Sequence, residues 1–196
     1  MKKAGLFLLI ISIFSMIVTG CYSSPNTTSL TNEEILKLLI ENNDYDTIIE
    51  VKGIPVKKGV YDSLKLSIGK EAAEDRILEI QARKINLIEK KKKFNIDINQ
   101  DFVDASVRIL KEKTPDENKQ YICVTSGFRT FDEFVDSDYS KEITMLGYAE
   151  LAYRRIRVDD IMRHNKQLTE FEAFKIYKSE LNKEVDDIFM DLKSKS

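Results

Sequence analysis

The stretch TIIEVKGIPVKKG, residues 47–59, is the one part of this chain whose residues favour extended backbone over helix. Ile48, Ile49 and Val51 are β-branched residues of the kind enriched in strands, while Gly53 and Pro55 are typical of a turn. The rest of the chain is poor in helix breakers, since all 196 residues include only 7 Gly and 3 Pro, and 33% of them are charged. The sequence therefore predicts a mainly α fold with one short β-like extended segment.

About six helices are predicted around this segment. Three of them begin at a capping box, in which Thr is followed three residues later by Glu and each side chain satisfies a free backbone N–H of the other residue. The boxes pair Thr31 with Glu34, Thr130 with Glu133, and Thr169 with Glu172. Helical spacing of apolar residues places the helices at about 31–42, 60–67, 71–94, 99–110, 130–162 and 169–192, with 121–129 as a connector. In the third helix, the face expected to be buried carries Leu78, Ala82, Ile85 and Ile88.

The amino terminus is typical of a secretory signal. Lys2 and Lys3 precede the uncharged residues 4–18, a run that fits the apolar core of a signal peptide and is shorter than the roughly 20 residues of a transmembrane helix. VTGC, residues 18–21, then resembles the bacterial lipobox, in which the Cys receives a diacylglycerol and the chain is cut just before it. The resemblance implies a signal peptide at 1–20 and a membrane anchor through lipid on Cys21, at the extracytoplasmic face. An uncleaved signal anchor is the alternative.

Residues 21–30 are rich in Ser, Thr, Asn and Pro and predict a flexible tether. Residues 31–196 have the length of a single domain.

Charge and reactive residues exclude several classes of function. Removal of residues 1–20 takes away Lys2 and Lys3 and changes the formal net charge from −2 to −4, so no nucleic acid partner is expected. With Cys21 lipidated, Cys123 and the single His164 cannot form a Cys/His zinc site, and we expect neither a metal nor another cofactor. Cys123 lies among apolar neighbours and is expected to be a buried, unreactive thiol, and His164 to be a solvated residue.

Four consecutive lysines occupy positions 90–93, at the end of the predicted third helix. One interpretation is contact with an anionic surface, such as lipid or a wall polymer. The other, which we favour, is a solvated helix end whose positive charges complement the helix dipole.

The order of these segments resembles the N-terminal chaperone domain of the SurA/PrsA family of secreted-protein folding factors. Members carry a VNG-x-PI turn before a short helix, and VKGIPV, residues 51–56, stands in that place with Lys52 instead of Asn. Members carry a GI-x-V-[ST] turn after the long helix, where this chain has NIDIN, with Asn95 in place of Gly and Asn99 as the helix cap. TFDEF, residues 130–134, resembles the later EEF helix. Covering roughly residues 47–162, the resemblance implies a SurA N-terminal-like helical domain.

The resemblance also implies a chaperone-like holding factor for unfolded or secreted polypeptides. Many members insert a parvulin-type prolyl isomerase domain before the last helix, but only residues 163–168 separate the last two predicted helices here, and one His cannot supply the paired histidines of a parvulin site. We therefore expect no prolyl isomerase activity and no enzymatic activity. A non-catalytic binding module for one dedicated secreted or envelope partner is the alternative. An enzyme whose type the sequence does not reveal is the third hypothesis.

Aromatic side chains are the candidates for client binding, because adaptable apolar groups suit broad and weak recognition. The candidates are Phe128, Phe131, Phe134, Tyr139, Tyr148 and Tyr153. Ordinary core packing is the competing interpretation for each of them, and the commoner one for aromatic residues at helical spacing.

Overall fold

The computed structural model describes residues 30–196, and this range contains eight helices and one two-stranded antiparallel sheet. In chain order the elements are α1 (Asn32–Asn42), β1 (Ile48–Val51), β2 (Ile54–Lys57), α2 (Lys58–Ile68), α3 (Lys70–Lys93), α4 (Gln100–Lys113), α5 (Asp116–Thr125), α6 (Phe131–Asp136), α7 (Asp138–His164) and α8 (Glu170–Lys195). The mainly helical prediction is confirmed, but the predicted number of about six helices is wrong.

The extended segment folds into a β-hairpin with a two-residue loop. β1 and β2 pair antiparallel so that Val51 faces Ile54 across the turn. The loop residues Lys52 and Gly53 have φ values of 53° and 76°, the left-handed backbone that a type I′ turn needs at both positions. The prediction of a β-like segment at this place is confirmed, and the hairpin leads directly into α2.

All three predicted capping boxes are present. The hydroxyl groups of Thr31, Thr130 and Thr169 accept hydrogen bonds from the backbone N–H three residues later, at the starts of α1, α6 and α8. Asn99 caps α4 as predicted, since its side-chain oxygen accepts from the Asp101 N–H at 2.8 Å. Asn95 has a φ of 48°, the positive value expected where family members have Gly.

The predicted connector at 121–129 is wrong, because most of it belongs to α5. Pro115 stands just before this helix, and Cys123 and Val124 are buried against the surrounding helices. The helix ends at Thr125, and the chain then turns at Gly127, whose φ is 77°. The Gly127 N–H donates to the Val124 carbonyl at 3.0 Å and the Phe128 N–H to the Cys123 carbonyl at 2.8 Å, which together form a Schellman motif.

The predicted long helix at 130–162 is two helices. Ser137 interrupts it with an extended backbone, at a ψ of 152°, so α6 ends at Asp136 and α7 begins at Asp138. The Ser137 hydroxyl donates to the Phe134 carbonyl and accepts from the Ser140 N–H at 3.2 Å. One serine therefore caps both helix ends, which explains why the chain turns there.

Two apolar clusters form the core. The first joins α1, α4, α5 and α6, and its centre is Phe134, which is fully buried. The second joins the turn after α3 to α7 and α8, around Tyr153, Tyr177 and Leu181. α7 has 27 residues and a length of about 40 Å. It meets the first cluster through Tyr139 and the second through Tyr153.

The helix α3 lies along α7 and α8 and is tied to them by ion pairs. Arg83 pairs with Glu150 at 2.7 Å and Lys84 with Glu142 at 2.8 Å, both on α7. Leu78 and Ala82 are buried as predicted, but Ile88 is 46% exposed. In this turn of α3 the buried residues are Asn86 and Leu87, so the buried face of the helix differs from the predicted one.

None of the helices within residues 30–196 has the length and apolarity that crossing a membrane requires. The predicted signal peptide at 1–20, the lipidation site Cys21 and the tether up to residue 29 lie outside the described residues. Leu30, the last residue of the predicted tether, is partly buried against the first apolar cluster.

Candidate functional site

A charged groove lies between the end of α3, the second half of α7 and the middle of α8. Its volume is about 750 Å³. The helices α7 and α8 are joined by a short turn and run side by side, so their charged residues at helical spacing form two walls of the groove. The end of α3 closes one side with Lys90, Lys93 and Phe94. We treat this groove as the candidate functional site.

Glu184 on α8 is held between two side chains of α3. Its carboxylate accepts a hydrogen bond from Lys90 Nζ at 2.5 Å and another from Asn86 Nδ2 at 3.2 Å. Burial acts to lower the pKa of Lys90, but the hydrogen bond from Lys90 to Glu184 and the nearby Tyr153 and Glu184 outweigh it and raise that pKa above its ordinary value. Lys90 therefore stays protonated, and this corner of the groove is fixed.

Arg157 on α7 forms the second fixed point. Its guanidinium donates to both oxygens of Glu180 on α8, with Nε at 2.9 Å and Nη2 at 3.0 Å, and also pairs with Asp160 one turn further along α7. The hydrogen bond to Glu180 is the main cause that raises the pKa of Arg157. A two-pronged pair of this kind fixes the orientation of both groups.

The floor of the groove is apolar. Tyr153 and Phe94 pack with their ring centroids 5.1 Å apart, and Ile156 lies beside them with 38% of its surface exposed. Lys90 Nζ lies 5.3 Å from the centroid of the Tyr153 ring. Burial is the main cause that raises the pKa of Tyr153, so the phenol stays neutral below that pKa and acts as packing surface.

Other cations on the groove walls form no ion pair with another described residue. Lys93 contacts only the ring of Phe94, at 5.8 Å, and the Arg163 Nε donates to a backbone carbonyl, that of Asp159, at 3.3 Å. Lys183 is exposed and has no ion pair within residues 30–196. These positive charges face the groove in addition to the paired Lys90 and Arg157.

Four of the six predicted aromatic residues form one cluster, away from the groove. Phe134 stands at its centre, 5.6 Å from Phe128, 5.9 Å from Phe131 and 6.5 Å from Tyr139 between ring centroids. Phe131 and Phe134 are buried, whereas Tyr139 is 37% exposed and Phe128 is half-buried with Lys57 Nζ 4.5 Å above its ring. In this structure Phe131 and Phe134 are core residues, and a client could reach only Phe128 and Tyr139 of the four.

The two remaining candidates lie in separate places. Tyr148 is half-buried on α7, with its ring 5.7 Å from the exposed Phe102 and its hydroxyl 2.7 Å from Ser106 Oγ. Tyr153 is 5% exposed and packs under the charged groove. The six candidates thus do not share one surface, and of the six only Tyr153 lines the groove.

The residues considered for catalysis or metal binding are not brought together. Within residues 30–196 no group of three or more His, Cys, Asp or Glu side chains is placed to hold a metal ion. Burial raises the pKa of the Cys123 thiol, consistent with an unreactive side chain. His164 is exposed at the end of α7, where its Nδ1 lies 2.9 Å from the Asp160 carbonyl.

The charged walls of the groove were not predicted, although the sequence carries a signal for them. Arg157, Asp160 and Arg163 on α7 recur at intervals of three residues. Glu180, Lys183, Glu184 and Asp187 on α8 recur at intervals of three, one and three. Such spacing places each set on one face of its helix. That the two faces meet could not be seen without the tertiary structure.

Comparison with protein-family models, with curated proteins and with solved structures finds no match for this chain. The resemblance to the SurA/PrsA chaperone domain therefore stays a prediction, and the function has to be argued from the groove and from the amino-terminal signal.

Proposed function

We propose that this protein is a membrane-anchored extracytoplasmic lipoprotein that binds unfolded or secreted polypeptides as a chaperone-like holding factor, without catalysis. The observation that carries the proposal is the groove. Its volume of about 750 Å³ lies within the range of ligand-binding pockets, and its apolar floor of Phe94, Tyr153 and Ile156 lies between charged walls. Such a surface suits a short stretch of polypeptide, whose side chains offer apolar and charged groups in turn.

The amino-terminal signal supports the location. If Cys21 carries the lipid, it lies nine positions before Leu30, which packs on the domain, with eight residues between them. A flexible segment of that length has a root-mean-square span of about 16 Å. The domain would then stay close to the membrane surface, where secreted chains emerge, and its effective concentration there would be high.

The holding function is tested with the lipidated protein in nanodiscs of zwitterionic lipid. Denatured secreted proteins are diluted into buffer with and without it, and light scattering is followed. We expect suppression of aggregation at a near-equimolar ratio. Ile156→Ser removes the exposed apolar side chain of the groove floor and should weaken suppression. Ile88→Ser is the matched control, because Ile88 is exposed to a similar degree on α3 and does not line the groove.

No suppression with several clients would refute general holding. Equal suppression by the two variants and the unchanged protein would refute the role of the groove. The anchor is tested separately with Cys21→Ser, which should abolish incorporation of labelled fatty acid and release the protein from the membrane fraction. Retention of label by that variant would refute lipidation at Cys21.

A binding module for one dedicated partner is the second candidate, and the fixed charges of the groove favour it. Arg157 and Lys90 are held in place by Glu180 and Glu184, so the walls present a set charge pattern that rejects mismatched partners. Crosslinking in the native envelope through a photoreactive residue at position 156 would distinguish the two. One dominant partner supports the dedicated module, and many different secreted proteins support holding.

A further inference from the structure

The charges of the groove do not balance once the internal ion pairs are taken into account. Five cationic and four carboxylate side chains line it. Lys90 and Arg157 are engaged by three of the carboxylates, on Glu184, Glu180 and Asp160. The cations left without an ion pair among the described residues are Lys93, Arg163 and Lys183, and the carboxylate left over is Asp187. The lining therefore carries one more positive than negative charge in total, and its unpaired groups are three cations against one carboxylate, although the whole chain is slightly acidic.

The surplus cations lie on three different elements. Lys93 ends α3, Arg163 belongs to the last turn of α7, and Lys183 is in the middle of α8. All three are exposed side chains that contribute to one groove. A ligand lying along the groove can thus meet a positive charge from each wall, which a run of lysines on one helix could not offer.

The apolar floor indicates what kind of anion would fit. Phe94 and Ile156 offer no hydrogen-bond donor and Tyr153 is only 5% exposed, so the floor suits apolar side chains better than a dense row of phosphates, and Asp187 adds a negative charge to the wall. A polypeptide with a few acidic side chains among apolar ones can meet the floor with its apolar groups and, unlike a dense row of phosphates, place its carboxylates away from Asp187. In an extended chain, side chains on one face recur about every 6.6 Å, so acidic residues can reach the walls while apolar ones meet the floor.

We propose that the groove selects acidic, partly apolar segments of its polypeptide clients, with Lys93, Arg163 and Lys183 as the residues that determine this preference. The inference rests on the proposed function, because it names the class of polypeptide which that function would hold. The paired Lys90 and Arg157 keep the walls in position, and the three unpaired cations contact the carboxylates of the client. Binding is expected to weaken as salt is added, since contacts between exposed charges are screened.

The test compares three fluorescent peptides of equal length and equal apolar content, one acidic, one basic and one uncharged. Fluorescence anisotropy is measured with the lipidated protein in zwitterionic nanodiscs, so the membrane contributes no net charge. We expect the acidic peptide to bind tightest. The triple variant Lys93→Gln, Arg163→Gln, Lys183→Gln should bind it about tenfold more weakly, from contacts that are each worth about a twofold to fivefold change in affinity.

A matched control removes the same charge elsewhere. Lys113→Gln, Arg155→Gln and Lys178→Gln change exposed cations on α4, α7 and α8 that do not line the groove. This variant should bind the acidic peptide like the unchanged protein. An equal loss in both triple variants would overturn the assignment, because it would make net charge, and not the groove, the cause.

The other outcomes separate this inference from the proposed function. Equal binding of the three peptides, or tightest binding of the basic one, would overturn the inference and leave polypeptide binding in place. Binding of none of them would overturn both. Inorganic polyphosphate and the unlabelled acidic peptide are compared as competitors, each at a concentration expressed in negative charges. If polyphosphate displaces the labelled acidic peptide at the lower concentration, the choice of a polypeptide over a phosphate polymer is overturned.

Discussion

Gly127, a buried residue in the turn after α5, should be one of the positions most sensitive to substitution, and Gly127→Ala tests why. The residue follows the end of α5 with a φ of 77°, and left-handed backbone costs a residue with a Cβ about 1–2 kcal/mol. A Cβ added there would also lie 2.9 Å from the Cγ and Cδ atoms of Lys57 and closer still to its Cβ. The Lys57 Cβ is fixed to the backbone of β2 and cannot swing away. Forced contacts of this kind cost about 1–3 kcal/mol, so we expect a total loss of about 2–5 kcal/mol.

Gly53→Ala is the matched comparison. Gly53 has almost the same φ, 76°, but a Cβ added there would meet nothing within 4 Å. Only the backbone cost of about 1–2 kcal/mol should remain. The assay is urea denaturation followed by circular dichroism, with the free energy of unfolding taken for both variants at pH 7. If Gly127→Ala costs no more than Gly53→Ala, the contact between α5 and β2 does not restrict this position and the argument from close approach is refuted.

Three further changes test the hairpin, a helix cap and a buried hydrogen bond. Lys52→Asn should stabilise the protein by about 0.5 kcal/mol in urea denaturation, because Asn tolerates the φ of 53°. The ion pair with Glu74 that is lost contributes little, because it is long, at 3.7 Å, and Lys70 also pairs with Glu74. A loss of stability would contradict the type I′ turn. Hydrogen bonds from Thr169 hold the pKa of Glu172 below its ordinary value of 4.5, so this stabilisation is present above pH 4.5 and is lost as the pH falls through the lowered pKa. Glu172→Ala should therefore lower the melting temperature more at pH 7 than at pH 3, and an equal effect at both pH values would contradict the ionised capping box. Tyr148→Phe should cost about 1 kcal/mol of unfolding free energy by removing the 2.7 Å hydrogen bond to the buried Ser106, and an unchanged value would contradict that bond.

Local chemistry made much of the secondary structure predictable. A capping box depends on residues three positions apart, and each of the three predicted boxes is present. The positive φ of Asn95 and the cap by Asn99 likewise follow from what single side chains tolerate or donate to their neighbours. The β-like segment was predicted because β-branched residues flank a glycine-containing turn, whereas its folding into a two-stranded hairpin was not predicted.

The helix α5 was missed because its signals conflict. Its amino-terminal half is polar, and Pro115 can mark either the end of one helix or the start of the next. Gly127 suits a helix end. The packing of Cys123 and Val124 against the other helices settles the conformation, and that contact joins parts of the chain distant in sequence.

The break at Ser137 was missed for a related reason. Ser tolerates helix interiors, so the apolar periodicity on either side predicted one continuous helix. The turn becomes favourable only because it lets α6 place Phe134 in the core while α7 leaves along another direction, and the Ser137 hydroxyl then serves both helix ends.

The groove could not be predicted because its decisive contacts join residues far apart in the chain. Lys90 and Glu184 are separated by 94 positions, and Arg157 and Glu180 by 23. The aromatic candidates for client binding show a second difficulty, which is to tell an exposed ring from a buried one. Their types suit a binding surface, but burial of Phe131, Phe134 and Tyr153 depends on neighbours that sequence spacing does not identify.

The fixed charges of the groove bear on how broad the proposed holding function would be. A factor that covers any unfolded chain needs apolar side chains that can repack around different partners. Here the apolar floor is small, and two ion pairs, Arg157 with Glu180 and Lys90 with Glu184, fix the positions of charged side chains on the walls. Rearranging those pairs would leave charges without partners, so the groove is expected to accept chains that match its pattern and to reject the rest. If the proposed function is right, it is therefore selective holding, in which acidic segments near the membrane are bound in preference to apolar surface in general.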